Sequence, residues 1–260
     1  MIICPICNSN TQFFTDKKDR FKQRYEYFRC DRCKFLFDKE LVINKDNLQK
    51  KVNNIYQEDY FQKIDKGWQM RGDVVSKKIN KFLKIYRVLK PLKKNISILD
   101  YGGGNGYITS KISKNFNVFY YDKYAKPVYN PGKYKILDKA IKTEIVYAVE
   151  LMEHITNFEE WNVLSQLVSN VLIFTTELSD GIKDKELVKW WYLNPDAGHT
   201  SVYSLGSLGL LAKKYGFAYF FFPSKSFHIF LRSRFLSRFN FVKLEYPIYN
   251  FFRKIKHVLK

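Results

Sequence analysis

Short apolar-rich runs alternate along this chain with segments in which apolar residues recur every three or four positions. The runs Ile96–Tyr101, Asn117–Tyr121, Tyr134–Leu137, Ile145–Val149 and Val171–Thr175 have the length and apolar content of buried strands. Between and before them the period changes. Val75, Ile79, Phe82, Tyr86 and Leu89 mark one helical face, with Asp73 expected as its N-cap and Pro91 as its stop. A second helix is expected from about Gly106 to Ser113. A third opens at Asn157, with Glu160 three residues on as in a capping box, and carries Phe158, Trp161, Leu164 and Val168 on one face. Strands alternating with helices imply an α/β chain whose mostly parallel sheet is covered on both faces, a doubly wound arrangement. Two late apolar stretches, Gly216–Phe222 and Phe227–Leu231, are expected as a closing antiparallel hairpin at the sheet edge.

The first residues break this pattern. All four cysteines lie there, as Cys4-Pro5-Ile6-Cys7 and Cys30-Asp31-Arg32-Cys33. A C-x-x-C turn points two sulfurs at one ion, and two such turns complete a tetrahedron around Zn²⁺. The intervening residues suffice for a hairpin, with strands at Thr11–Thr15 and Tyr25–Arg29 and a polar turn from Asp16. Four thiolates leave no open position, so this zinc is expected to be structural. Two disulfides or a redox pair are the alternatives.

The run Leu99-Asp100-Tyr101-Gly102-Gly103-Gly104-Asn105-Gly106 follows one predicted strand and opens a helix, the context of a nucleotide-binding turn. A dinucleotide fingerprint, G-x-G-x-x-G, fails in both frames, because Tyr107 or Thr109 stands where the last glycine belongs. The turn instead reads D-x-G-x-G-x-G and resembles that of class I S-adenosylmethionine-dependent methyltransferases. The resemblance covers roughly Leu99 to Phe230. It implies a seven-stranded, Rossmann-like sheet and assigns cofactor contacts to Asp100, Tyr101, Gly102, Gly104 and Gly106. Asp122, at the end of the next strand, is placed to accept the ribose hydroxyls. Asp138 stands where the family often meets the adenine, and Glu150 ends the fourth strand.

Glu150-Leu151-Met152-Glu153-His154 also matches E-x-x-E-H, which in ubiquinone-biosynthesis O-methyltransferases is linked to a divalent metal. Two carboxylates and an imidazole in this pattern could bind Mg²⁺ or a similar ion. Most family members with a Glu-His here need none, so His154 is expected to orient the turn or assist catalysis without an active-site divalent metal. Farther on, Pro195-Asp196-Ala197-Gly198-His199 through Ser204 resembles the P-x-x-G-H-x-x-x-[FY]-S segment of a methyltransferase group often encoded with capsule and lipopolysaccharide genes. A hydroxyl acceptor must lose its proton during methyl transfer, and imidazole, with an ordinary pKa of about 6.5, suits that task. His199 is therefore the candidate base; a histidine that merely braces its loop is the alternative.

These readings give four parts: a zinc-binding knuckle over 1–40, a helical linker or cap over 41–95, the S-adenosylmethionine-binding domain over 96–232, and a basic aromatic tail over 233–260. The tail is expected to pack as a helix through Phe251, Phe252 and Ile255; a basic helix on an anionic membrane is the alternative. The chain has 260 residues, 46% of them hydrophobic and 18% aromatic, and a formal net charge of +20 spread along its length. No run approaches the ~20 apolar residues of a membrane span. Met1-Ile2-Ile3-Cys4-Pro5 has no secretory pattern, so a cytoplasmic protein is expected, with the membrane's inner face as the alternative. The charge favours an anionic partner. The leading expectation is O-methylation of a sugar or of a nucleotide-linked or phosphorylated small molecule in surface-polysaccharide synthesis. An RNA methyltransferase comes second, and a non-catalytic interaction protein built on the zinc knuckle third.

Overall fold

The computed structural model describes residues 2–55, 67–88, 95–221 and 226–237. Its strands in chain order are β1 (Thr11–Lys18), β2 (Arg24–Cys30), β3 (Leu36–Asp38), β4 (Ser97–Tyr101), β5 (Asn117–Tyr121), β6 (Lys135–Ile136), β7 (Thr143–Ala148), β8 (Val168–Thr175), β9 (Ser201–Val202), β10 (Phe217–Phe221) and β11 (Phe227–Arg232). They form a seven-stranded sheet in the order β10-β11-β8-β7-β4-β5-β6 and a four-stranded sheet in the order β1-β2-β3-β9. The pairs β4–β5, β4–β7, β5–β6 and β7–β8 are all parallel. The mostly parallel sheet expected from the alternating pattern is therefore present, with the seven strands that the resemblance implies.

The chain divides into two compact units. One comprises Gly67–Val149, Gln166–Phe174 and Phe220–Lys260. Its core is a single apolar cluster that joins the inner face of the helix Trp68–Val88, through Ile79, Phe82, Leu83 and Tyr86, to strand residues such as Ile98, Tyr147 and Ile173. The helix begins five residues before the expected cap. Asp73 therefore lies inside it, where its carboxylate bonds the Tyr107 hydroxyl at 2.9 Å and pairs with Lys111. Leu89 and Pro91 fall outside the described residues.

The other unit comprises Met1–Lys66, Glu150–Ser165 and Thr175–Tyr219. β1 and β2 form the expected hairpin, and Asp19 closes its turn by accepting from the backbone of Phe21 and Gln23 at 2.9 and 2.8 Å. β3 and β9 were not foreseen. β3 pairs with β2 on one side and with β9 on the other, through Leu36–Val202 and Phe37–Ser201, so the hairpin shares a sheet with the segment that follows His199. The helix Glu160–Leu167 opens with Asn157 accepting from the Glu159 amide at 3.1 Å, and it buries Trp161 and Leu164. Val168, expected on that helix, instead begins β8. No described helix is long and apolar enough to cross a membrane.

Candidate active site

The glycine turn is built from the end of β4 outward. Asp100 is buried, and the Thr109 hydroxyl from the following helix donates to it. Desolvation raises its carboxyl to about 7; the Asp122 charge adds to the rise, while hydrogen bonds from Thr109 and Tyr147 oppose it. Tyr101 is buried as well, its ring 5.4 Å from Tyr121. Gly102 donates from its backbone to the Tyr121 carbonyl at 2.9 Å, which ties the turn to β5.

Two glycines are dictated by geometry. A Cβ on Gly103 would lie 2.5 Å from the Tyr120 ring and 3.0 Å from Asp100. Gly106 has φ of 78°, in the left-handed region, and a Cβ there would collide with the Tyr134 hydroxyl and stand 2.8 Å from Pro127. Tyr120 completes the brace, donating its hydroxyl to the Gly104 carbonyl at 2.6 Å.

Asp122 sits beside this turn with its carboxylate engaged by backbone. Oδ2 accepts from Gly104 at 2.8 Å, and Oδ1 accepts from Tyr124 and Ala125, each at 2.8 Å. The carboxylate thus holds the turn as well as presenting itself. Oδ2 keeps acceptor capacity for a ribose hydroxyl. Asp138 is exposed after β6. Glu150 is exposed with φ of 51°, and its amide and carboxylate both bond the Thr175 hydroxyl, at 2.8 and 3.0 Å.

The second constellation lies in the other unit. Asn194 caps a 3-10 turn, Pro195–Ala197, by accepting from Asp196; Gly198 then reverses the chain with φ of 77° and delivers His199 inward. His199 is buried, and its Nδ1 lies 2.5 Å from the Tyr192 carbonyl. His154 Nδ1 lies 3.1 Å from the Gly198 carbonyl. A carbonyl only accepts, so each ring donates from Nδ1, and Nε2 carries the lone pair in the neutral ring. The two rings stand 4.8 Å apart. Thr200 donates its amide to Glu153 and its hydroxyl to Ile155, at 2.8 and 2.7 Å, and so stitches the two segments together.

Glu153 completes the group. Its carboxylate is fully buried, and one of its oxygens and a ring nitrogen from each histidine all lie within 4.8 Å of one another. Desolvation raises its carboxyl well above the usual range; Glu150 adds to this, and the Tyr192 and Thr176 hydroxyls oppose it. Sequence reasoning placed His154 and His199 at the site separately. It weighed Glu153 only with Glu150 and His154, as a divalent-metal set within E-x-x-E-H; the partnership with His199 was not legible, because that residue comes from a distant loop.

The four cysteines also converge. Cys4 Sγ lies 3.6 Å from Cys33 Sγ, Cys7 Sγ lies 3.4 Å from Cys30 Sγ, and all four sulfurs are within 4.8 Å of one another. None is disulfide-bonded. Zn–S bonds of about 2.3 Å in a tetrahedron give sulfur separations of about 3.8 Å, so the cluster has the dimensions of a thiolate zinc site. The adjacent Cys33 thiol lowers that of Cys4 to about 6, against the effect of burial.

No curated protein matches the chain in sequence. Among solved structures, the plantazolicin methyltransferase BpumL in complex with SAH shares the fold at a TM-score of 0.50 and 16% identity, over 74% of this chain and 98% of that one. Magnesium protoporphyrin IX methyltransferase from Synechocystis PCC 6803 with bound SAH aligns at a TM-score of 0.45 and 17% identity, over 73% and 96%. A family model described as a methyltransferase domain matches residues 69–220, more than half of the chain. The D-x-G-x-G-x-G turn at the end of β4 lies inside that match, and the chain accordingly belongs to the methyltransferase-domain family, as an S-adenosylmethionine-dependent enzyme.

Proposed function

We propose that this enzyme O-methylates a small acceptor of anionic or sugar-linked chemistry, of the kind used in surface-polysaccharide synthesis. The observation that carries the reading is the locked tautomer of His199. Its Nδ1–H is committed to the Tyr192 carbonyl at 2.5 Å, so the neutral ring presents Nε2 as its basic nitrogen. His154 is held in the same way and is the second candidate for proton handling. Methyl transfer from a sulfonium needs an acceptor lone pair in line with the S–CH₃ bond, and a hydroxyl supplies one most readily as its proton leaves. On this reading the turn from Asp100 to Gly106 holds the amino-acid part and ribose of the cofactor. Asp122 accepts a ribose hydroxyl, Asp138 meets the adenine, and Glu150 is a further cofactor contact. The net charge of +20 draws an anionic acceptor toward the chain. Cys4, Cys7, Cys30 and Cys33 hold one structural zinc, since four thiolates leave no position for substrate.

The test joins binding to turnover. Calorimetry with S-adenosylmethionine is expected to show binding that Asp122→Ala weakens strongly and His199→Ala leaves nearly intact. With a phosphorylated or nucleotide-linked sugar as acceptor, His199→Ala should lower kcat by roughly 10²–10⁴. A folded His199→Ala enzyme of near-normal kcat would return this histidine to a bracing role.

A further inference from the structure

We infer that Glu153, His154 and His199 form a second metal site, for a divalent first-row transition ion, distinct from the four-cysteine cluster. The expectation from the sequence was that no such ion is held here, since most family members with a Glu-His pair at this place need none, and His199 lies far along the chain from that pair. The fold brings it back: one oxygen of Glu153 and one nitrogen from each imidazole lie within 4.8 Å of one another, close enough to share one ion. Two imidazoles and one carboxylate suit zinc, iron, cobalt or nickel better than magnesium or calcium, which prefer oxygen ligands.

Two further observations point to a ligand. The Glu153 side chain is completely buried, and neither carboxylate oxygen meets a partner at hydrogen-bonding distance and angle; the neighbouring Tyr192 and Thr176 hydroxyls bond each other at 3.0 Å. A buried carboxylate without such a partner is costly, and a cation is one of the few groups that offsets the cost. Both histidines are also oriented as metal ligands are, with Nδ1–H donated to a backbone carbonyl, at Tyr192 for His199 and at Gly198 for His154. That bond fixes the tautomer, and Nε2 is then the coordinating nitrogen. The acidic partner nearest in sequence, Glu150, is exposed and hydrogen-bonded to Thr175, so it is not part of the set. Three protein ligands leave positions for water or for oxygen atoms of a ligand, as in open rather than structural sites. The inference uses residues of the proposed acceptor end, but binding of the ion is measured without acceptor or cofactor. Its failure would therefore leave the methyltransferase reading standing; its success would commit the His199 Nε2 lone pair to the ion, so that proton removal from the acceptor would fall to another group.

The experiment is a Co²⁺ titration of the full chain as purified, followed by calorimetry and visible absorption. The wild-type chain is expected to take up about one Co²⁺ per chain with ligand-field bands but without the thiolate charge-transfer absorption that marks the cysteine cluster. Glu153→Gln and the half-exposed His154→Gln should each weaken this uptake at least about tenfold. Wild-type protein whose only Co²⁺ uptake carries the thiolate signature would overturn the site, and that result needs no variant to fold. Folded Glu153→Gln and His154→Gln proteins that retain wild-type uptake would overturn it as well.

Discussion

Asp100 stands in the motif that the sequence marks for the cofactor, yet its side chain is only 2% exposed. The Thr109 hydroxyl of the following helix donates to it and ties it to the turn's far side. Desolvation raises its carboxyl to about 7, well above the value of about 3.9 in an unfolded chain. The folded state then binds this proton more tightly than the unfolded state between those values. Its contribution to stability is fully present below about pH 4 and is lost as the pH rises through about 7. Asp100→Asn keeps the shape and removes the charge. Without cofactor, the wild type is expected to lose roughly 2–4 kcal/mol relative to Asp100→Asn between pH 4 and pH 8. Denaturant titrations at several pH values measure this, and parallel stability profiles for the two proteins would contradict it.

Among elements, the β3–β9 pairing matters most to the histidines. Tyr27 of β2 donates its hydroxyl to the His199 carbonyl at 2.7 Å, the Asp38 amide bonds the Thr200 carbonyl at 2.8 Å, and Ser204 donates to the Cys33 carbonyl at 2.5 Å. The cysteine-bearing module is thus hydrogen-bonded along the whole segment that delivers His199. If zinc holds the four thiolates, stripping it with a strong chelator should raise amide exchange over residues 199–204 together with residues 4–33. Increased exchange confined to the cysteine loops would show that the segment stands without the module. At Asn157, where a capping-box-like start was expected, the side chain accepts from the Glu159 amide two residues on, as in an Asx turn. A true capping box occurs at Ser204 and Ser207, where serine replaces the glutamate that the pattern looks for.

At the scale of the whole molecule, the charge of +20 is spread along the chain and is compatible with either a small anionic acceptor or a nucleic acid. Binding to random-sequence RNA is expected to be weak and to collapse between low and moderate salt, as phosphate contacts alone do. Tight, salt-resistant binding to one defined RNA would favour the RNA methyltransferase alternative. At the start of the tail, Phe235 on the helix Ser233–Ser237 is buried and stacks on Tyr86 at 5.7 Å. Phe251, Phe252 and Ile255, and the basic residues beyond Arg234, lie outside the described residues.

The sequence by itself determined the alternation of strands and helices, the methyltransferase turn and the cysteine spacing. Each is written in neighbouring residues, where period, glycine placement and C-x-x-C geometry act locally. Glu150 and Asp138 were likewise legible as strand-end acids, from the apolar runs before them. Only the tertiary structure decided that Asp100 is buried, that Gly103 is required against the Tyr120 ring, and that β3 pairs with a two-residue strand far along the chain. It also decided that His199 returns to Glu153 and His154. Such contacts join segments distant in sequence. Their stabilisation comes from burial and from backbone bonds between strands, and neither leaves a periodic mark on the residues that take part.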